Sequence, residues 1–400
     1  MVKRSDRQGL RTWIEVDRRA LAHNLRLFRR LLPRDCRIMA ICKSNAYGHG
    51  LYDLAPVLEE LGVDWFGVDS IVEAVRLREK GIRRPLLILG YTLPIRFEEA
   101  VSRGVSLTVS SLENLGALAR LPGRRRVKVH LKLDTGMHRQ GLLRREWPAA
   151  LALLGRSVGR VDLEGLYTHF ASAKDPARRK YTEGQIREFE EAAALFQASG
   201  FNPLRHASAT AGALNYPEAR YDLVRLGIGL MGLWPSSETR LAWEKDFYLR
   251  PALSWRTLIS ETKELPKGAG IGYELRVRLR RPSRVGVCPI GYWHGLPRSL
   301  GGSAEVLVRG RRSRIMGVIS MDMIVVDLTD IPEARVGDVV TIIGRDGSLE
   351  ITAFELARQA GISHYELLTR LNPLIQKFYS ERSGRRGRPS GGEDVIERVN

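Results

Sequence analysis

The stretch RIMAICKSNAYGHGLYDLAPVLEEL, residues 37–61, decides the fold class. Arg37 to Cys42 is a short apolar run of strand length, and from Leu51 onward Leu51, Leu54, Ala55, Leu58 and Leu61 recur at helical spacing. Between the two lies a loop of small, polar and aromatic residues opened by Lys43. The unit therefore reads strand, loop, helix. In parallel α/β folds the strand end that feeds such a loop is where ligands bind and chemistry occurs. Lys43 stands at that end.

The same unit recurs outward from this stretch. Short β-rich runs, TWIEV, RIMAIC, DWFGVD, PLLILG, VSLTV, VKVHLKL, VDLEGLYTH and YDLVRLGI, alternate with helical patterns such as SIVEAVRLREKG and EGQIREFEEAAALFQASG. Such alternation argues for parallel β/α units. Eight strand runs over roughly 220 residues come near the ~250 residues of a (β/α)8 barrel, with a doubly wound open sheet as the alternative. The expectation is an α/β barrel, a (β/α)8 TIM-like barrel over residues 12–245, behind an N-terminal tail of residues 1–11. After GLWPSSETR the runs become closely spaced strands, among them PALSWRTLISETKEL, RVGVCPIGY, SAEVLVRG and DVVTIIG. They predict a mainly antiparallel β domain over 246–380. Residues 381–400, rich in Gly and Arg, predict a disordered basic tail.

Composition narrows the function classes. The chain has 400 residues, 44% of them apolar, and no run approaches the ~18 apolar residues of a membrane span. The opening MVKRSDRQGL is basic with no apolar stretch behind it, so a cytoplasmic location is expected, away from membranes. Cys36, Cys42 and Cys288 form no disulfide framework. The net charge of +19 comes from 64 Lys and Arg spread along the chain, which reads as solvated helix faces, and no nucleic-acid partner is expected. The histidines lack metal-ligand spacing, so no metal is expected either.

In VKVHLKLDTGMHRQG the period-two alternation sets Lys128, His130, Lys132 and Asp134 on one face and Val127, Val129, Leu131 and Leu133 on the other. The apolar face of a barrel strand meets the helices, so the polar face points inward. An unpaired ammonium there is costly, which requires Lys132 to be paired, with Asp134 or another carboxylate, or covalently neutralised. RLGIGLMG, residues 225–232, follows the last barrel run with glycines that let backbone amides approach an anion. Loops at that point of such barrels often hold phosphate. A lysine at one strand end and a phosphate cradle at a distant one suit pyridoxal phosphate, which needs an amine for its aldehyde and donors for its phosphate.

AICKSNAYGHG resembles the cofactor-attachment segment of the alanine racemases. HLKLDTGMHR, GLYTHFA, LVRLGIGLMG, GIGYELR, PIGYWHGLPR and GVISMDM are similar to that family's later motifs, in the family's order, and the likeness runs from Thr12 to about Asn372. The resemblance implies a barrel followed by a β domain, a homodimer with an active site shared between chains, pyridoxal 5'-phosphate as cofactor, an amino-acid substrate, and supply of D-alanine for peptidoglycan. It further implies that the family's amino-terminal strand joins the β domain, which would shift the strand count by one.

Carried across, the resemblance makes Lys43 the cofactor-bearing lysine and one catalytic base, and Tyr273 the second base. Tyr47, Thr210, Gly227, Ile228 and Tyr365 would surround the phosphate. Arg225, supported by His169, would face the pyridine nitrogen. Arg139 and Met321 would bind the substrate carboxylate, and Lys132, in its carbamylated form, would hold Arg139. Two departures stand out: Ala209 replaces an asparagine common beside the phosphate-binding hydroxyl, and Trp293, His294 and Leu296 alter the segment near the substrate entrance. The alternatives are a racemase of another amino acid such as serine, a related decarboxylase, and a non-catalytic pyridoxal phosphate-binding protein. Arg139 argues against the decarboxylase, and the β domain carrying Tyr273 against the carrier.

Overall fold

In the computed structural model, which describes residues 9–122 and 126–380, the first strand, β1 (Thr12–Asp17), does not enter the barrel. It pairs antiparallel with Leu253–Leu258 and parallel with Gln376–Ser380, both of the β domain. This corrects the barrel boundary at residue 12. The misreading has a physical source: Asp17 ends the strand and at once caps the helix Arg18–Leu31, accepting from the amides of Arg19 and Ala20. A strand followed directly by a capped helix looks like any β/α unit. The expected tail at 381–400 and most of the one at 1–11 lie outside the described residues.

The barrel is built from β2 (Arg37–Ile41), β3 (Trp65–Val68), β4 (Leu86–Ile88), β5 (Ser106–Val109), β6 (Val127–Lys132), β7 (Val161–Tyr167), β8 (Leu204–His206) and β9 (Leu223–Leu226). Parallel pairing runs from β8 through β7 down to β2 and then to β9. The seam between β8 and β9 is closed by the bridge of Ala209 with Arg225 and by the Arg225 amide on the Ser208 carbonyl at 2.9 Å. The count of eight therefore stands with one exchange: TWIEV leaves and Leu204–His206 enters. That strand is only three residues long and two of them are Arg205 and His206, so it carries no apolar run to announce it.

Two apolar layers follow from the alternation along the strands. Ile38, Ala40, Val129 and Leu131 point outward into the main core shared with the helices. Met39, Ile41, Trp65, Leu87 and Leu223 form a separate cluster, the apolar part of the barrel interior. The rest of that interior is polar and holds the candidate site. No helix among the described residues is long and apolar enough to cross a membrane.

The β domain is a ten-stranded sheet, antiparallel apart from the β1 pairing with Gln376–Ser380, as its closely spaced runs predict. A buried ion pair fastens β1 into it. Glu15 and Arg256 lie 3.4 Å apart at 4% and 2% exposure. The Trp13 indole donates to Glu15 at 3.0 Å, and Arg256 donates to Thr341 Oγ1 at 2.6 Å and to the Arg345 carbonyl at 3.1 Å. Because removing one member strands the other's charge in the interior, Arg256→Met should cost about 3–5 kcal/mol. Adding Glu15→Leu should recover most of that loss, read as the shift in urea midpoint of the single and double variants.

Candidate active site

The loops after the barrel strands enclose a cavity of about 560 Å³ at the end where Lys43 emerges. Lys43, Tyr47, Lys132, Arg139, His169, Thr210, Arg225, Gly227, Ile228 and Tyr365 all line it. Those ten candidates come from barrel strands, their loops and one helix of the β domain, His364–Thr369. Tyr273 and Met321 do not line it. They sit on the β domain at 66% and 54% exposure, with Tyr273 on a loop above the small hairpin of Gly270–Ile271 and Val277–Arg278.

Lys43 opens a turn of the wrong hand. Ser44, Asn45, Ala46 and Tyr47 all have φ between 50° and 55°, a left-handed run without a single glycine, at a cost of about 1–2 kcal/mol per residue. The turn swings Tyr47 back toward the strand ends, where its hydroxyl lies so near Gly227 that a Cβ there would come within 2.5 Å of it. The Tyr47 ring meets that of Tyr365 edge-on at 6.1 Å. On the other side of the turn Lys43 Nζ lies 3.2 Å from Asp69 Oδ1, and Glu73 accepts from the Ser44 amide at 3.0 Å and the Asp69 amide at 2.7 Å. Asp69 was not among the expected residues, although its position at the end of the run DWFGVD matches that of Lys43 after RIMAIC.

The floor of the cavity is Arg225, 3% exposed. Its guanidinium donates to the carbonyls of Thr168 at 2.7 Å and Ala207 at 2.6 Å, and lies 2.8 Å from His206 Nδ1 and 3.1 Å from His169 Nδ1. From His206 a chain of hydrogen bonds crosses the barrel: His206 Nε2 to His130 Nδ1 at 2.8 Å, then His130 Nε2 to Glu164 Oε2 at 3.3 Å. Glu164 also accepts from Lys128 at 2.6 Å and from Ser106.

The two ends of this chain set every proton in it. A guanidinium can only donate and a carboxylate only accept. His206 Nδ1 must therefore be an acceptor and carry its proton on Nε2; His130 must then accept at Nδ1 and donate from Nε2. Both rings are neutral, in agreement with the burial that pushes both imidazole pKa values down. Glu164 reaches the interior through a β-bulge: Val129 faces Leu163 and His130 faces Gly165, leaving Glu164 as the extra residue. The bulge needs the glycine, since a Cβ at Gly165 would lie 2.1 Å from His130 Nδ1. Tyr167 completes the floor, stacked on His206 with centroids 4.6 Å apart and beneath the Arg225 guanidinium at 5.2 Å.

Residues 16–235 match the family described as alanine racemase, N-terminal domain, and residues 252–379 match alanine racemase, C-terminal domain. The chain belongs to the alanine racemase family. It is 41% identical to an alanine racemase of Symbiobacterium thermophilum, over 94% of this chain and 98% of that one, and 40% identical to one of Leptospira interrogans, over 92% and 95%. The crystal structure of alanine racemase from Bacillus anthracis with bound L-Ala-P superposes with a TM-score of 0.87 at 34% identity, covering 94% of this chain and 96% of that one. Alanine racemases are amino-acid racemases, isomerases acting on a small-molecule substrate, and this chain is one of them.

In this alanine racemase fold Lys132 is 5% exposed and does not pair with Asp134, whose carboxylate accepts from the amides of Gly136 and His138. Its ammonium instead reaches Gln140 Oε1 at 3.2 Å. Burial, with Arg139 and Arg225 nearby, brings its pKa down to about 8. Gln140 and Tyr167 join Asp69 as site residues that sequence reasoning missed. Tyr167 belongs to a motif already singled out, but nothing in a strand's alternation tells that its ring lies under Arg225.

The chain of four side chains yields a pH signature. Burial alone raises the Glu164 pKa, but the hydrogen bonds from His130, Lys128 and Ser106 outweigh it and bring the carboxyl to about 2, below its ordinary 4.5. A depressed carboxyl contributes stability that is fully present above the unfolded value and is lost as pH falls through the folded one. Glu164→Gln should therefore lower the urea midpoint at neutral pH. The gap to the parent protein should begin to close as pH drops below about 4.5, which a series of unfolding curves would show.

Proposed function

We propose that the chain interconverts L- and D-alanine with pyridoxal 5'-phosphate held in the barrel cavity and one base on each face of the substrate. The observation that carries this reading is the pairing, in one cavity, of an amine at a strand end with a buried arginine that no carboxylate among the described residues touches. The cavity fits the cofactor's chemistry. Thr210, Tyr47, Tyr365, Gly227 and Ile228 all line it, and the missing side chain of Gly227 lets the Tyr47 hydroxyl lie against the backbone there. They would hold the phosphate. When bound, the cofactor supplies an electron sink that lets the Cα–H bond of an amino acid ionise.

The remaining work falls to this chain's side chains. Arg225, with its pKa lowered by burial to about 10, stays a cation at neutral pH, so it offers the ring nitrogen a hydrogen bond and gives up no proton. His169, whose pKa is pushed well down by burial and by Arg225, lies neutral beside it. Arg139 would orient the substrate carboxylate. Lys132, with its pKa brought down to about 8, has an appreciable neutral fraction at physiological pH, the form whose lone pair attacks carbon dioxide, with a proton released as the carbamate forms. Carbamylation would turn a cation wedged among arginines into an anion that holds Arg139.

Racemisation needs proton exchange on both faces of one carbon, and Lys43 reaches only one. Tyr273 is the second base in this reading. It stands exposed with Met321, Tyr292, Trp293 and Met323 on the β domain, and we read that face as the part that meets the cavity of a second copy, making the active unit a homodimer. A cytoplasmic enzyme supplying D-alanine for peptidoglycan is the corresponding physiological role.

Borohydride treatment of the purified protein should fix the cofactor to Lys43, identified by peptide mapping; attachment at another lysine would overturn the site. A chiral assay over the common amino acids should show alanine turned over faster than serine, because Tyr365 lines the cavity and Tyr292 stands on the proposed second face. If a larger amino acid wins, the altered segment at Trp293 to Leu296 is where to look.

Tyr273→Phe separates two-base from one-base chemistry. Alanine enantiomers have equal free energy, so no variant can lose kcat/KM in one direction only. Racemisation should fall by about 10²–10⁴, the usual cost of a lost acid-base group. In deuterated water the variant should still label D-alanine at Cα through Lys43 and leave L-alanine nearly unlabelled, as mass spectrometry of the separated enantiomers would show.

A further inference from the structure

The left-handed turn that presents Lys43 and Tyr47 does not hold itself. Four consecutive non-glycine residues with positive φ persist only where the surroundings over-determine them. Within the turn the Ala46 amide donates to the Cys42 carbonyl at 2.9 Å and the Gly50 amide to the Asn45 carbonyl at 3.0 Å. Glu73 holds the start of the turn at the Ser44 amide, and its end is held through His49, which is fully buried. Its Nδ1 lies 3.1 Å from the Ala46 carbonyl and 3.0 Å from the Tyr47 carbonyl. Two carbonyls can only accept, so Nδ1 carries the proton and the ring clips the last two residues of the turn together.

His49 is in turn held by the far end of the chain. The Tyr379 hydroxyl donates to the His49 carbonyl and lies 3.1 Å from that of Gly50. Tyr379 belongs to Gln376–Ser380, the strand that pairs in parallel with β1, with Val16 opposite Tyr379. A second brace comes from the helix His364–Thr369, where the Leu368 carbonyl sits so close to Gly48 that a Cβ there would lie 2.2 Å from it. The β domain thus touches the turn at His49 and Gly50 through Tyr379 and at Gly48 through Leu368.

We propose that Tyr379 is a positioning residue of the active site: its hydroxyl, anchored in the last strand of the β domain, locks His49 and through it the turn that aims Lys43 and Tyr47 into the cavity. Tyr379 is not among the residues that line the cavity and acts through the backbone. The functional half of the proposal rests on Lys43 and Tyr47 being cofactor contacts; the structural half, that the hydroxyl orders the turn, does not.

The test is Tyr379→Phe in the full chain, which keeps the ring and removes only the hydroxyl. Hydrogen exchange by mass spectrometry reads the turn directly. Peptides covering residues 44–50 should exchange about threefold to tenfold faster than in the parent, the range expected for one lost hydrogen bond, while β1 and Gln376–Ser380 stay equally protected. Release of pyridoxal phosphate into a scavenger after dilution should accelerate by a similar factor, with kcat/KM falling alongside it. Unchanged exchange at 44–50 overturns the proposal, and so does a loss of protection that spreads through β1 and Gln376–Ser380, which would make the hydroxyl merely a part of domain stability. Faster exchange at 44–50 with unaltered cofactor release would sustain the brace and instead refute the role of the turn in holding the cofactor.

Discussion

The barrel interior is organised around a buried arginine that no carboxylate among the described residues meets directly. Arg225 is buried with carbonyls and imidazoles as its contacts, and the nearest anion along its hydrogen bonds, Glu164, is reached only through His206 and His130. An ionised group in such surroundings costs several kcal/mol unless its partners are fixed and fully bonded. Two neutral imidazoles of set tautomer deliver the carboxylate's polarity without bringing its charge to the cavity. Direct contact with Glu164 would neutralise the arginine. At a distance it leaves a cation facing a cavity, ready for an acceptor.

That arrangement reaches back into the backbone. The bulge in β7 exists where Glu164 must turn inward, and Gly165 is the residue that lets His130 lie flat against it. The same region carries the stacking of Tyr167 on His206. A change to any one of these bears on Arg225, because each hydrogen bonds to or stacks on the next member of the chain. The opposite wall of the cavity follows a different logic. There the chain stores backbone strain in the turn after Lys43, and the β domain supplies the contacts that keep it.

The two candidate bases share that feature. Lys43 precedes a left-handed turn, and Tyr273 sits on a loop in which Gly272, Glu274 and Leu275 have φ of 68°, 61° and 46°. Strained segments of this kind cluster at functional sites because they aim side chains in directions regular elements do not reach. The β domain is thus more than an appendage to the barrel. It braces the first segment through Tyr379 and Leu368 and displays the second on its own exposed face.

Much of this was legible in residues 37–61 and their repeats: strand and helix periodicity identifies β/α units, the change of spacing after residue 245 marks the second domain, and the position of Lys43 at a strand end marks the cavity. Local pattern suffices for these because they depend on which residues alternate. It failed where pairing decides. TWIEV and RIMAIC read alike as strands, yet the first finds its partners some 240 and 360 residues away in the β domain, and the polar Leu204–His206 becomes a barrel strand only because the seam needs one. Ten expected site residues line one cavity. Asp69, Gln140 and the relay from Arg225 to Glu164 emerged only from the folded chain, since the tautomer of a histidine and the aim of a bulged glutamate are set by neighbours that no stretch of sequence brings together.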